Sequence, residues 1–182
     1  SEVDAFIRDK IEEFNMNPYA DYTALVEHLG ILLRIFLPIE VDKALRSLAK
    51  KGTPSALLIK GLPIGRLHPT PSAEGETLTK DWASEYMALA IIGALGYKVD
   101  RYLDEKDGQA IQQVFPDPTK AHEISGLGSS TTFGPHTEQA HEESPPPCFL
   151  LYALKGDPKA KTTFILIDEV LAALPSWVIE GM

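Results

Sequence analysis

Cysteine is nearly absent from this chain, which has only Cys148 among its 182 residues. A single cysteine excludes an internal disulfide and favours a reducing compartment, so we expect a cytoplasmic protein. No basic stretch followed by an apolar run opens the chain, so no signal peptide is visible. The nearest approach to a membrane segment, residues 29–39, contains Arg34 and Pro38 and is too short to span.

Basic residues are also scarce. The chain has 17 lysines and arginines against 26 acidic residues, a net charge of -9. Proteins that bind nucleic acids or anionic membranes without sequence or lipid specificity usually carry a cluster of basic residues on one face. Here the longest basic cluster is the pair Lys50 and Lys51. We therefore expect neither nucleic acid nor membrane as a partner, and nothing in these features indicates an oligomeric state.

The first 52 residues have the apolar periodicity of helices. Apolar side chains recur every three or four residues from Val3 to Phe14, and again from Asp21 to Leu37. A third helix is predicted over Glu40–Lys51, ended by Gly52. The length suits one domain, so we expect residues 1–52 to form a helical region packed on a core made by residues 53–182.

Beyond residue 52 the pattern changes to short apolar runs separated by long loops. We expect a helix over Lys80–Leu95, capped by Thr79 and covering a sheet, and a short helix near 168–174. The remaining apolar runs predict strands at 55–60, 97–103, 109–115, 148–154 and 162–167. This order predicts an α+β fold with helices packed against one side of a β core.

A compact group of metal-binding residue types lies just before the two last predicted strands. His136 and Glu138 are two residues apart, so in an extended segment both point to the same face. A histidine and a carboxylate together are two of the three ligands of a 2-His-1-carboxylate ferrous site. Five histidines and 26 acidic residues give roughly 0.7 such pairs by chance, and His141 with Glu143 is a second one. The pair alone does not establish a metal site.

Five segments follow one another along the chain: ALLIKGLP (56–63), WASEYMALAIIGALG (82–96), GQAIQQVFP (108–116), HTEQAH (136–141) and the Thr pair at 162–163. Taken in this order, they resemble the clavaminate synthase-like group of Fe(II)/2-oxoglutarate oxygenases. This group is related to asparagine and arginine oxygenases, and more distantly to taurine dioxygenase. The resemblance covers roughly residues 45–170 and implies a partial double-stranded β-helix, or jelly-roll, core.

The resemblance also implies roles for individual residues. His136 and Glu138 would bind Fe(II), and Thr162 or Thr163 would contact the co-substrate 2-oxoglutarate. The implied reaction is hydroxylation, with dioxygen, of an unactivated carbon in a free or carrier-bound amino acid of arginine- or asparagine-like type. The residues expected to contact the amino acid are Gln112 and, from the preceding loop, Ser125 and Ser129.

One departure from that group keeps other functions open. The group uses a distal histidine and an arginine after the proximal pair, but here no histidine follows His141 and no arginine follows Arg101. The chain is therefore either the N-terminal portion of a longer oxygenase or a divergent remnant. Two alternatives are a non-catalytic relative that binds an amino acid or a partner protein, and a cupin-like metal enzyme of another reaction class.

We predict that these 182 residues alone do not act as an oxygenase. A third ligand beside His136 would have to be His28, His68 or His122, which fall in a predicted helix and two predicted loops. A bidentate arginine for the co-substrate carboxylate is also missing downstream. The purified chain should show no iron-dependent succinate release from 2-oxoglutarate. Robust release would place the third ligand within it.

Overall fold

The computed structural model describes residues 1–48, 56–67, 69–70, 80–103, 106–126, 128, 130–132, 134–137 and 146–179. No helix in these ranges is long and apolar enough to cross a membrane. Two short 3-10 turns, Lys106–Gly108 and Pro118–Lys120, lie in the middle of the chain. The described ranges hold six α-helices: α1 (Glu2–Phe14), α2 (Tyr22–Phe36), α3 (Ile39–Leu48), α4 (Ala83–Ala94), α5 (Ile167–Ala173) and α6 (Ser176–Ile179).

The helices predicted from apolar periodicity are confirmed, and α5 confirms the short helix expected near residue 168. The Oγ of Ser1 caps α1 by accepting a hydrogen bond from the backbone N–H of Asp4 at 3.1 Å. Asn15 ends α1 in the left-handed conformation, with φ of 48°. Thr79 and Gly52, the predicted caps of two other helices, lie outside the described residues.

Among the residues that the structure describes, the buried apolar core comes from α1 to α4, with α4 at its centre. Ten of the 12 residues in α4 are apolar or glycine, and they surround the helix instead of forming one stripe. A helix that is apolar all round must be covered on every side. The buried core residues are Phe6, Ile7, Leu25, Val26, Leu29, Leu33, Leu45, Ala83, Tyr86, Met87, Leu89, Ala90, Ile91 and Ala94.

Two glycines let α2 and α4 approach each other closely. A Cβ added to Gly30 would lie 2.3 Å from the carbonyl carbon of Gly93. A Cβ added to Gly93 would lie 2.2 Å from the carbonyl oxygen of Val26. Real Cβ atoms do not approach backbone atoms this closely, so α2 and α4 can pack at this separation only if both positions are glycine.

The connection between α1 and α2 is fixed on α4 by a tyrosine. The hydroxyl of Tyr86 accepts from the backbone N–H of Met16 at 3.1 Å and donates to its carbonyl oxygen at 2.9 Å. Within the connection, the Asp21 carboxylate accepts from the backbone N–H of Asn17 at 3.0 Å. This connection also carries Tyr19, which therefore has a defined position relative to α4.

The predicted β core is wrong. Within the described ranges no residue belongs to a β-strand, so the expected α+β fold with a double-stranded β-helix is not formed there. The runs at 56–60, 97–103, 109–115, 148–154 and 162–166 are not in strands, and Ile167 begins α5. α4, expected to cover a sheet, packs instead on α1 and α2. The proposed boundary near residue 52 stays a prediction.

Helix packing accounts for part of the apolar pattern that suggested strands. Along 111–115, side chains alternate between partly buried and exposed, and Ile111 packs against the helical core. The same alternation places Leu150 and Tyr152 on the core, while Phe149 and Leu151 are exposed. Alternation of this kind belongs to any extended chain with one covered side. These segments use helices, not neighbouring strands, as their packing surface.

Replacing Gly30 with alanine tests the close α2–α4 contact. In an unobstructed helix interior, alanine is favoured over glycine by about 1 kcal/mol. If no atoms lay close to Gly30, Gly30→Ala would therefore stabilise the protein. Because the new methyl group meets backbone atoms, we expect the unfolding free energy to fall instead, by roughly 1–3 kcal/mol. The measurement is urea unfolding. Gly156→Ala, at a non-helical position where an added Cβ meets nothing within 4 Å, controls for the added methyl group and should be nearly neutral.

Candidate functional site

His136 is the member of the predicted metal-binding pair that the structure describes. Its side chain is exposed, and its Nδ1 lies 2.8 Å from the carbonyl oxygen of Gly134. Because a carbonyl oxygen only accepts, Nδ1 carries a proton and donates it to Gly134. Histidines that bind metals commonly donate their other N–H in this way, which fixes the tautomer and ring orientation. Its role as a ligand stays a prediction, and Glu138, the expected second ligand, lies outside the described residues.

The other predicted site residues differ in their exposure to solvent. Gln112, Thr162 and Thr163 are exposed. Ser125 is partly buried, and Ser129 lies outside the described residues. The described ranges contain no group of three histidines, cysteines or acidic residues able to hold a metal ion. The roles assigned to these residues therefore stay predictions.

The serine-containing loop before His136 is tightly turned. The carbonyl oxygen of Ser125 accepts from the backbone N–H of Gly128 at 3.1 Å. The backbone N–H of Ser130 donates to Ala121 at 2.8 Å, closing the turn. A Cβ on Gly128 would lie 2.1 Å from the carbonyl oxygen of Glu123, so the position requires glycine. Ser125 thus sits in a fixed turn within the predicted loop.

The densest polar group that the structure describes is buried beside the first turn of α4. We call Tyr19, Lys80, Ser84, Glu85 and Gln113 the Glu85 cluster. The Glu85 carboxylate accepts from Tyr19 OH at 2.6 Å, from Lys80 Nζ at 2.6 Å and from Ser84 Oγ at 2.9 Å. Lys80 Nζ also contacts Ser84 Oγ, and Gln113 Nε2 donates to Tyr19 OH at 2.6 Å. The side chains of Lys80 and Glu85 are each only 4% exposed.

Burial near Glu85 raises the pKa of two tyrosines. Burial, followed by the hydrogen bond to Glu85, raises the pKa of Tyr19 well above its usual value. Burial is also the main cause that raises the pKa of Tyr152, with the charge of Glu85 second. The hydroxyl of Tyr152 donates to the carbonyl oxygen of Pro63. Both phenols therefore act as hydrogen-bond donors, Tyr19 to Glu85 in α4 and Tyr152 to Pro63.

The interpretation of the sequence missed the Glu85 cluster, although two signals were present. Glu85 is the one charged residue in the otherwise apolar α4, and a buried carboxylate requires partners. The second signal is the pair Gln112 and Gln113, whose neighbouring side chains point to opposite sides in an extended segment. The structure places Gln113 inward and Gln112 outward.

A shallow polar cavity of about 420 Å³ lies between α1 and the start of α4, lined by Arg8, Gly65, Arg66 and Asp81. The Asp81 carboxylate accepts from the backbone N–H groups of Arg66 at 2.8 Å and Ala83 at 3.3 Å. Its negative charge offsets the neighbouring arginines. None of the predicted site residues lines this cavity.

The chain is similar to two curated amino-acid oxygenases. It is 34% identical over 120 residues to the L-lysine 3-hydroxylase of Catenulispora acidiphila, covering 65% of this chain and 33% of that protein. It is 32% identical over 113 residues to the L-asparagine oxygenase of Streptomyces coelicolor, covering 60% of this chain and 33% of that protein. The chain thus matches about a third of the length of each relative. No protein-family model and no solved structure matches it.

Removing either charge of the Lys80–Glu85 pair should be strongly destabilising, because the other is left buried without its partner. We expect Lys80→Met and Glu85→Gln each to lower the unfolding free energy by roughly 3–5 kcal/mol. The double variant should lose less than the sum of the two. Arg8→Met, which removes a largely exposed pair with Asp4, is the control and should cost less than about 1 kcal/mol. Equal losses in denaturant titrations of all three single variants would contradict a buried pair.

Proposed function

We propose that this chain is part of an oxygenase that hydroxylates an amino acid. The observation that carries the proposal is the similarity to a lysine 3-hydroxylase and an asparagine oxygenase over 60–65% of the chain. The relatives differ in the amino acid they are named for, so the shared feature is the substrate class and the insertion of oxygen. In this proposal residues 53–182 carry the site, and the helices of residues 1–52 support it.

Ferrous iron and 2-oxoglutarate are the proposed cofactors, and together with dioxygen they supply the oxidising chemistry. His136 and Glu138 would hold the iron, His136 through Nε2, with its orientation kept by the hydrogen bond to Gly134. Thr162 or Thr163 would donate a hydroxyl hydrogen bond to a co-substrate carboxylate. The site needs at least one further ligand, which the described residues do not provide.

The proposed substrate is an amino acid with a polar or cationic side chain. Gln112 is exposed on the outer side of segment 111–115, where its amide is available to a ligand. Ser125 and Ser129 lie in the loop that precedes His136 and would contact the substrate carboxylate. Glu142 and Glu143 would add negative charge near the proposed metal ligands, which favours lysine- or arginine-like side chains over acidic ones.

The full-length protein that contains this chain should hydroxylate an amino acid when supplied with ferrous iron and 2-oxoglutarate. Lysine, arginine and asparagine are the first substrates to test, with mass spectrometry for one added oxygen atom and a succinate assay for coupled turnover. An added oxygen only on a sulfonate, a fatty acid or a peptide would contradict the proposed substrate class. Amino-acid binding without turnover would favour a non-catalytic relative.

Alanine variants identify which His-x-Glu pair binds the metal. His136→Ala and Glu138→Ala should lose iron binding, and turnover should fall by more than the roughly 10–100-fold expected from losing an outer partner of a ligand. His141→Ala and Glu143→Ala are the matched controls and should retain iron. Binding is measured anaerobically by titration calorimetry. The reverse pattern would assign the metal to the second pair.

A further inference from the structure

Segment 111–115 presents its two glutamines to opposite sides. Ile111, Gln113 and Phe115 are partly buried, whereas Gln112 and Val114 are exposed. Ile111 packs on the helical core, and Gln113 reaches Tyr19 in the α1–α2 connection. Because successive side chains of an extended segment alternate, holding Gln113 inward also holds Gln112 outward. The side that Gln112 faces is thus set by the contacts of its neighbour.

The contacts of Gln113 have a fixed direction that originates at Glu85. A carboxylate only accepts hydrogen bonds, so Tyr19 must donate its single hydroxyl proton to Glu85 at 2.6 Å. The lone pairs of the same hydroxyl then accept from the Gln113 amide nitrogen, also at 2.6 Å. Lys80 and Ser84 hold the Glu85 carboxylate from the other side. The chain of bonds from Glu85 through Tyr19 therefore orients the Gln113 amide.

We propose that Tyr19 and Glu85 are positioning residues for the amino-acid site, because they hold Gln113 inward and so hold Gln112 toward the substrate. This inference rests on the proposed function, in which Gln112 contacts the amino acid. It assigns the helical N-terminal region a specific part in that function. Tyr19, 94 residues before Gln113, would influence how tightly the substrate binds without touching it.

The first test is Tyr19→Phe in the full-length protein, which removes the hydroxyl that joins Glu85 to Gln113. Tyr86→Phe is the matched control, since it removes another buried phenol hydroxyl bonded to the same α1–α2 connection, through Met16. The readout is nuclear magnetic resonance of glutamine labelled at its side-chain amide. The Gln113 signal is identified as the one that Gln113→Leu removes.

In Tyr19→Phe the Gln113 amide signal should move toward that of an exposed glutamine and exchange faster with water. In Tyr86→Phe it should stay in place. The KM for the amino acid should rise roughly 2- to 10-fold in Tyr19→Phe, the range expected from losing one hydrogen bond, with kcat nearly unchanged. Gln113→Leu should raise KM similarly, and the double variant should add little further.

Two results would overturn the inference. One is a Gln113 signal that is unmoved in Tyr19→Phe, or moved equally in Tyr86→Phe, because the loss of the hydroxyl would then act only through stability. The other is a moved signal with an unchanged KM. If the unaltered protein turns over no amino acid, the proposed function fails, while the amide signal still decides whether Tyr19 holds the segment.

Discussion

The structure depends on covering α4, a helix with apolar side chains on every side. No single neighbour can bury such a helix, so α1 and α2 pack on it and later segments complete the cover. The tightest contact is with α2, where Gly30 and Gly93 allow backbone atoms to approach. Because dispersion contacts depend steeply on distance, this approach strengthens packing along both helices. The positions of Tyr19 and Gln113 follow from this arrangement.

Glu85 gives α4 a second function as an attachment point for the rest of the chain. Its carboxylate accepts hydrogen bonds from Lys80 and Ser84, which are close in sequence, and from Tyr19, which is distant in sequence. Buried carboxylates need such partners, and each hydrogen bond holds the segment that contains the donor against α4. Hydrophobic packing brings these segments to α4, whereas the hydrogen bonds decide which side chain faces inward. Because hydrogen bonds are directional, they select one register of a segment on α4 among several that apolar packing alone would allow.

The helices were predictable because their signal is local. Apolar spacing of three and four residues found α1 to α4, and a capping serine or asparagine is read from neighbouring residues. Strands need partners elsewhere in the chain, which a short apolar run does not reveal. Segments 111–115 and 148–154 have the composition of strands, but in the structure their covered side chains face helices. Periodicity of two identifies an extended chain and not the neighbour that it pairs with.

The candidate site was predictable only in part for a similar reason. His136 is a candidate ligand by residue type and spacing, and the structure adds only its hydrogen bond to a residue two positions away. The difference between Gln112 and Gln113 depends on Tyr19, which lies far away in sequence. Both glutamines have the same chemistry, so composition cannot separate them. Only the packing of the α1–α2 connection on α4 decides which one faces outward.

The order in sequence of the residues that contact Glu85 also matters during translation. All four core helices end by residue 94, so their packing can begin before residues 111–152 have been synthesised. Lys80 and Ser84 accompany Glu85 in sequence, and Tyr19 precedes it. The carboxylate can therefore be neutralised and hydrogen-bonded as soon as α4 forms. Gln113 and Tyr152 then meet a preformed surface, and the nascent protein does not have to keep an unpaired buried charge while it waits for them.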